Sequence, residues 1–435
     1  MTATGAPAIR VAVDDVSTPT KREARALAER ARAASYAMAN ATTAQKNRAL
    51  TLIADSLIGD ARAQILEENA LDLADAKAAG LAPALVDRLL LDGARIDALA
   101  QAVRDIAALP DPVGAVDELA TRPSGIQVGR MQIPLGVIFI VYESRPNVTI
   151  DAASLCLKAG NAVLLRGGKE ALRSNRTLSS IARDALVRAG LPADGVVFVD
   201  DAAHELMHEL LAQRASIDLA IPRGGTKLID AVNEHAKVPV IQHYQGICHV
   251  YVHASADLAM AERVIVNAKT SRPGVCNAAE CLVVDESVAP VFLPRAHHAL
   301  TSAGVAVRGD ARARAIVPAM LAASAADFDT EFLALTIAVA VVDGVDEALA
   351  FLRAHGSRHT ESIIANDHAV AMRFLREVDA SCTMVNASTR FNDGGELGLG
   401  AELGISTTKL HAYGAMGLEQ LCTRKWIVLG HGEIR

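Results

Sequence analysis

The chain has 435 residues, 51% hydrophobic and 21% charged, with a formal net charge of -7. That length supports two or three domains with sizeable cores, and the acidic balance argues against a nucleic-acid binder, which carries a basic face. No apolar run reaches a membrane span, the first residues lack the basic start and apolar core of a signal peptide, and six cysteines without a CxxC pair form neither a disulfide framework nor a zinc site. The expected compartment is the cytoplasm, where a thiol stays reduced.

Residues 1–16 carry no strong pattern, and from residue 19 the chain turns helical. Residues 21–41 are rich in Ala, Arg and Glu, which favour helix. Residues 45–58 place Leu50, Ile53, Leu57 and Ile58 on one face. A third helix over 61–79 stops at Gly80, and 85–108 gives two more around Asp92-Gly93. Residues 122–134 alternate about Gly129 and suit a hairpin strand.

A regular alternation follows. Strands are expected at 136–142, 162–165, 195–199, 217–221 and 238–241, and helices at 148–158, 170–189, 202–214 and 226–235. Gly160 and Gly190 are the expected helix stops. The pattern continues with strands at 281–285, 305–307, 338–342, 362–364 and 383–386, and helices at 257–269, 289–303, 345–354 and 367–377. The tail is Gly-rich from 394, helical near 415–421 and a strand at 426–429. Buried strands alternating with helices make mostly parallel sheets covered on both faces, so the fold class is α/β. Ligands bind such sheets at the carboxyl ends of the strands.

Cys276 lies in the loop between the helix at 257–269 and the strand at 281–285, where a thiol can meet substrate. Cysteines inside apolar runs are ordinarily packing, and Cys156, Cys248, Cys382 and Cys422 take that reading, as does Cys281 at a strand start. Lys269, Arg272 and Asn277 surround Cys276 in sequence. Positive charge nearby lowers a thiol's pKa and raises its thiolate fraction, so Cys276 is the candidate nucleophile.

No GxGxxG fingerprint is present. In its place, Arg166-Gly-Gly-Lys169 and Pro222-Arg-Gly-Gly-Thr226 each follow a strand. Glycines at such a turn let the backbone approach a phosphate, and the helix N-terminus favours negative charge. One Gly-Gly alone reads as a turn; two at the carboxyl ends of neighbouring strands favour a nucleotide cleft over that reading. Asn147, in Tyr142-Glu-Ser-Arg-Pro-Asn147, is either a helix N-cap or an amide donor to an oxyanion, worth about 3 kcal/mol of barrier. Arg145 is a cation beside it. Arg390, in Ser388-Thr-Arg-Phe391, suits bidentate pairing with a carboxylate. His243 stands in a polar run before Gly246 and is open to a role as base.

Arg272-Pro-Gly-Val-Cys-Asn-Ala-Ala-Glu280 resembles the nucleophile loop of the gamma-glutamyl phosphate reductase family, in the aldehyde dehydrogenase superfamily. The likeness runs from about residue 20 to the end. It includes Glu68-Asn69-Ala70-Leu-Asp72, Leu109-Pro-Asp-Pro-Val-Gly114, His355-Gly-Ser-Arg-His-Thr-Glu-Ser-Ile363 and Gly394-Gly-Glu-Leu-Gly-Leu-Gly400 in the family's order. One departure is Phe351-Leu352, where the family pattern has His-Ile.

The resemblance implies an aldehyde-dehydrogenase-like fold: two Rossmann-like α/β domains plus a small oligomerisation arm. N-terminal helices and the cofactor domain would occupy 1–120 and 136–255, the catalytic domain 256–400, and the arm 121–135 and 410–435. Asn147 and the Cys276 N–H would form the oxyanion hole. Arg166, Lys169, Gly224 and Gly225 would hold NADP(H), the first two favouring NADP over NAD, and Glu331 would hold the nicotinamide ribose. Arg145, Arg272, His359 and Arg390 would surround the substrate, and no metal is implied. Hydrolytic relatives carry a water-activating Glu where His243 falls here. The implied reaction is NADPH-dependent reduction of L-glutamyl 5-phosphate to L-glutamate 5-semialdehyde and phosphate through a Cys276 thioester, the second step of proline synthesis from glutamate. A homo-oligomer is implied, with room for association with a glutamate 5-kinase. The rival readings are a CoA-acylating or hydrolytic aldehyde dehydrogenase, and a silent subunit regulating a proline-pathway kinase.

Overall fold

The computed structural model describes residues 18–242 and 244–435. The patternless residues 1–16 and His243 lie outside the described residues. Five helices come first: α1 (Pro19–Ala39), α2 (Thr43–Ile58), α3 (Arg62–Ala78), α4 (Pro83–Leu89) and α5 (Gly93–Ala108). Their starts are chemically marked. Thr18 accepts from the Lys21 N–H, Thr42 and Gln45 form a capping box, and Asp92 accepts from the Arg95 N–H. Strands β1 (Val116–Thr121) and β2 (Gln127–Pro134) then pair antiparallel.

Next come β3 (Val137–Tyr142), α6 (Asn147–Lys158), β4 (Ala162–Arg166), α7 (Leu172–Arg188), β5 (Val196–Phe198), α8 (His204–Leu211), β6 (Leu219–Arg223) and α9 (Thr226–His235). The four strands form a parallel sheet in the order β5-β4-β3-β6. Gly160 and Gly190 follow α6 and α7 at φ of 78° and 77°, the left-handed conformation that glycine adopts without steric cost.

The second unit comprises β7 (Cys248–Val252), α10 (Leu258–Thr270), β8 (Ala279–Asp285), α11 (Ala289–Ser302), β9 (Ala306–Gly309), α12 (Ala311–Ile316), β10 (Leu321–Ala322), β11 (Thr336–Val342), α13 (Gly344–His355), β12 (Thr360–Ile364), α14 (His368–Glu377) and β13 (Cys382–Val385). Its seven strands are parallel, in the order β10-β9-β11-β8-β7-β12-β13. Successive side chains take opposite faces. Val250, Leu282 and Val284 pack with Ile265 and Phe292 on one side; Tyr251, Cys281 and Val283 pack with Leu349 and Phe374 on the other. Burial on both faces is why these strands read as apolar runs. The tail adds β14 (Ile405–Ser406), β15 (Gly414–Ala415) and β16 (Cys422–Leu429), the last pairing with β2 to complete a three-stranded antiparallel arm.

Several expected boundaries move. The arm begins at Val116 rather than 121, because β1 belongs to it. Glu118 at φ 60° and a register shift between Asp117 and Ala120 break the alternation that would have revealed that strand. The boundary expected at 255/256 falls too late, since β7 pairs with β8 and β12 of the second sheet. Residues 238–241 contribute a single bridge, Val240 to Ala220, rather than a strand. Residues 410–421 do not join the arm: Ala412, Met416 and Leu421 are buried in the first core. The helix expected near 415–421 reduces to β15 and a 3-10 turn over Glu419–Leu421.

Asn161, fully buried after α6, ties distant parts together. Its Oδ1 accepts the Gly136 N–H and its Nδ2 donates to the Leu421 carbonyl, both at 2.8 Å. Asn161→Ala strips the Gly136 N–H of its partner and leaves the Leu421 carbonyl only the longer 3.4 Å bond from the Leu135 N–H, a loss of about 1–3 kcal/mol. The urea midpoint is expected to fall by the equivalent of roughly 1–3 kcal/mol; an unchanged midpoint would contradict this role.

Candidate active site

Cys276 stands just before β8, at the amino edge of the seven-stranded sheet, and the loop around it is clamped by buried polar groups. The Cys248 thiol donates to the Cys276 carbonyl at 3.1 Å, and a Cβ on Gly246 would collide with that same carbonyl. His359 Nδ1 lies 3.5 Å from Cys248 Sγ and 2.7 Å from Thr360 Oγ1. Thr360 Oγ1 accepts from Asn392 Nδ2 at 2.8 Å, and the Asn392 carbonyl accepts from Asn277 Nδ2 at 2.9 Å. Since Asn277 follows Cys276, these bonds close a ring through the nucleophile loop.

This ring corrects two expectations. His359 is fully buried behind Cys248, so it supports the nucleophile loop and does not line the substrate space. Cys248 is a member of the ring rather than core filler. The expected activation of the thiol by Lys269, Arg272 and Asn277 also fails. Lys269 Nζ pairs with Glu280 at 2.5 Å, both side chains buried; Arg272 is exposed; Asn277 is spent on Asn392. Burial pushes the Cys276 thiol up to about 11, Arg223 opposes that rise, and Glu331 and Glu402 add to it. The cation that chiefly opposes the rise is therefore Arg223, from the other sheet.

Arg223 ends β6, in register with Tyr142 of β3. The turn after Tyr142 is tied to it: the Glu143 N–H donates to the Arg223 carbonyl at 3.2 Å. Arg145 is exposed in this turn and lies within electrostatic reach of Arg223, Arg88, Glu143 and Cys276. Asn147 opens α6, but it is not the cap. Pro146 holds that position, and Asn147 Nδ2 donates to Asp151 Oδ2 at 2.8 Å. A carboxylate only accepts, so Asp151 fixes which end of the amide carries the N–H groups and leaves one of them for a ligand. Burial pushes the Asp151 carboxyl up to about 6, with Asn147 and then Arg223 pulling it back.

On the cofactor side, Gly225 precedes α9, and its N–H donates to Glu143 Oε2 at 3.0 Å. A carboxylate already occupies this helix N-terminus, the place that favours a phosphate. A Cβ on Gly224 would stand 2.6 Å from Glu143 Cδ and 2.7 Å from Leu228 Cδ2, so the close approach is at Gly224, while Gly225 is in ordinary contact only. Arg166 ends β4, is 6% exposed, and donates to the Ala202 carbonyl while its Nε has no partner. Lys169 is exposed three residues on. A buried cation with a spare donor at the end of β4, and a close-packed glycine turn at the end of β6 on the other side of β3, fit a dinucleotide lying across these strand ends. Glu331 is half-buried, accepts the Gly246 N–H, and lies near enough to Cys276 to raise its thiol. Arg390 is half-buried with an unpartnered Nε.

Sequence reasoning missed Arg223, Asp151 and the role of Cys248. Arg223 stood inside a motif read only for its glycines. Asp151 is four residues after Asn147, a spacing that brings side chains together on a helix. Cys248 gave no local signal, because its partners are 28 and 111 residues away.

The model of the aldehyde dehydrogenase family matches residues 3–327. A gamma-glutamyl phosphate reductase of Sorangium cellulosum (strain So ce56) is 55% identical, over 94% of this chain and 97% of its own. One from Geotalea daltonii (strain DSM 22248 / JCM 15807 / FRC-32) is 52% identical, over 94% of this chain and 98% of its own. The crystal structure of gamma-glutamyl phosphate reductase from Thermotoga maritima is 44% identical and superposes with a TM-score of 0.93, over 95% of this chain and 100% of its own. The chain therefore belongs to the aldehyde dehydrogenase family and, within it, to the gamma-glutamyl phosphate reductases.

Proposed function

We propose that the protein reduces L-glutamyl 5-phosphate to L-glutamate 5-semialdehyde and phosphate with NADPH, in proline synthesis from glutamate. The observation that carries this reading is the position of Cys276, clamped at one sheet edge and within electrostatic reach of Arg223 on the other. The Cys276 thiolate attacks the acyl carbon; a carbon–sulfur bond forms, the carbon–oxygen bond to phosphate breaks, and a thioester remains. The free N–H of Asn147 and the backbone N–H of Cys276 supply the donors for the oxyanion. When bound, NADPH supplies the hydride. Breaking the carbon–sulfur bond then frees the semialdehyde and returns the thiolate.

Gly224, Gly225 and the start of α9 would take the pyrophosphate once the Glu143 carboxylate that holds the Gly225 N–H is displaced. Arg166 and Lys169 support NADPH over NADH, because a phosphate on the adenosine ribose would use their positive charge. Glu331 would hold the nicotinamide ribose, its carboxylate steadied by the Gly246 N–H. Arg390 would pair with the substrate α-carboxylate through its unpartnered edge. Arg145, and Arg272 at the loop's exposed end, complete the anionic surroundings. The arm supports a homo-oligomer: Leu119, Trp426 and Val428 are 49%, 62% and 58% exposed on it. Among the described residues no helix is long and apolar enough to cross a membrane, and a cytoplasmic site of action is part of this reading.

Cys276→Ser is expected to lower turnover by roughly 10⁴-fold or more while NADPH binding, followed by fluorescence, stays intact; near-normal turnover would sink the mechanism. The unliganded thiol, pushed up to about 11, is mostly protonated at neutral pH. Its alkylation by iodoacetamide should therefore climb about tenfold per pH unit from about pH 7 to about pH 10. A plateau below about pH 8 would mean that the resting enzyme already holds a thiolate.

A further inference from the structure

We propose that Arg223 holds the phosphoryl group of the acyl-phosphate substrate and, in the opposite direction, the inorganic phosphate that resolves the Cys276 thioester. This assignment rests on the thioester reading above.

Geometry carries the argument. Arg223 is the last residue of β6, and its backbone is fixed by register with Tyr142 and by the Glu143 N–H. It therefore flanks the turn that presents Arg145 and Asn147. Its guanidinium lies against Gly404, where φ is 137° and a Cβ would collide with Nη1. The chain approaches closely there, which confines the side chain without binding its donors. Among the described residues the guanidinium is half-buried and makes no hydrogen bond or ion pair. Two carboxylates lie within electrostatic reach, but both are engaged elsewhere: Asp151 with Asn147 at 2.8 Å, and Glu402 with the Gly394 N–H at 2.9 Å. Arg145 is a second cation in the same space. Like charges held together with free donors make a place for an anion.

Chemistry selects which anion. The acyl carbon must sit at Cys276 and its oxygen near Asn147. Two substituents remain, the glutamyl chain, whose α-carboxylate is assigned to Arg390, and the phosphate, which is the anion attached directly at the reacting carbon; Arg223 is the cation whose charge bears most on Cys276. A guanidinium matches two phosphate oxygens at once and neutralises the charge that grows as the carbon–oxygen bond breaks. In reverse, a phosphate oxygen attacks the thioester carbon, the carbon–sulfur bond breaks, and Cys276 leaves as thiolate. The competing occupant is the cofactor pyrophosphate, because Gly224 and Gly225 follow Arg223 directly.

The test uses the full-length enzyme in the reverse direction, with glutamate semialdehyde, NADP+ and varied inorganic phosphate. Arg223→Lys keeps the charge but loses the fork; Arg223→Gln loses both. The KM for phosphate should rise at least about tenfold in Arg223→Lys and further in Arg223→Gln. The KM for NADP+ should stay within about twofold. A pre-steady-state burst of reduced cofactor should persist in Arg223→Lys, because forming the thioester consumes no phosphate. An unchanged phosphate KM with an intact burst would overturn the assignment alone. A rise confined to the NADP+ KM would overturn it in favour of the pyrophosphate. Absence of a burst from the unsubstituted protein would overturn the thioester reading, and this assignment with it.

Discussion

The closed ring of buried hydrogen bonds beneath Cys276 is the constraint on which the site depends. It joins three segments far apart in sequence: Cys248 at the start of β7, His359 and Thr360 at the start of β12, and Asn392 after β13. Each bond is worth only about 1 kcal/mol net, yet removing one partner strands a buried polar group at about 1–3 kcal/mol. The loop is therefore held where its thiol is half-buried. The same burial makes the thiolate costly. Position is secured by the second sheet, and charge must come from elsewhere.

That charge comes from the facing unit. The four-stranded sheet turns its carboxyl edge, with Glu143, Arg145 and Arg223, toward the amino edge of the seven-stranded sheet, where Cys276 stands. On the proposed reading, the rule that ligands gather at carboxyl ends describes the four-stranded sheet, while the proposed nucleophile comes from the opposite kind of edge. Each half is incomplete alone. Asp151 orients the amide of Asn147 within α6, and Glu331 reaches back to the Gly246 N–H beside the nucleophile. Burial raises the thiol, and Arg223 opposes it.

Much of this was legible in the sequence where the information is local. Pro273-Gly274 ends a helix, so Cys276 had to lie in a loop. Apolar runs alternating with helices specified two parallel sheets. Asn147 could be placed at a helix start from its own neighbours. What escaped reading was depth and pairing across distance. His359 lies in a polar-looking segment, yet the strand that follows carries it fully inside. Lys269 looked like a cation for the thiol, but it lies four residues after the buried Ile265 and shares that inward face, where Glu280 meets it. Strand β1 was hidden because Glu118 in the left-handed region interrupts its alternation.

The account's central claim is that a thioester on Cys276 is resolved by phosphate rather than by water. The most direct measurement is steady-state oxidation of glutamate semialdehyde by NADP+, with phosphate present and with phosphate scrupulously removed. Sustained turnover that strictly requires phosphate is the result the account predicts. Sustained turnover without phosphate would contradict it, because water would then be resolving the intermediate.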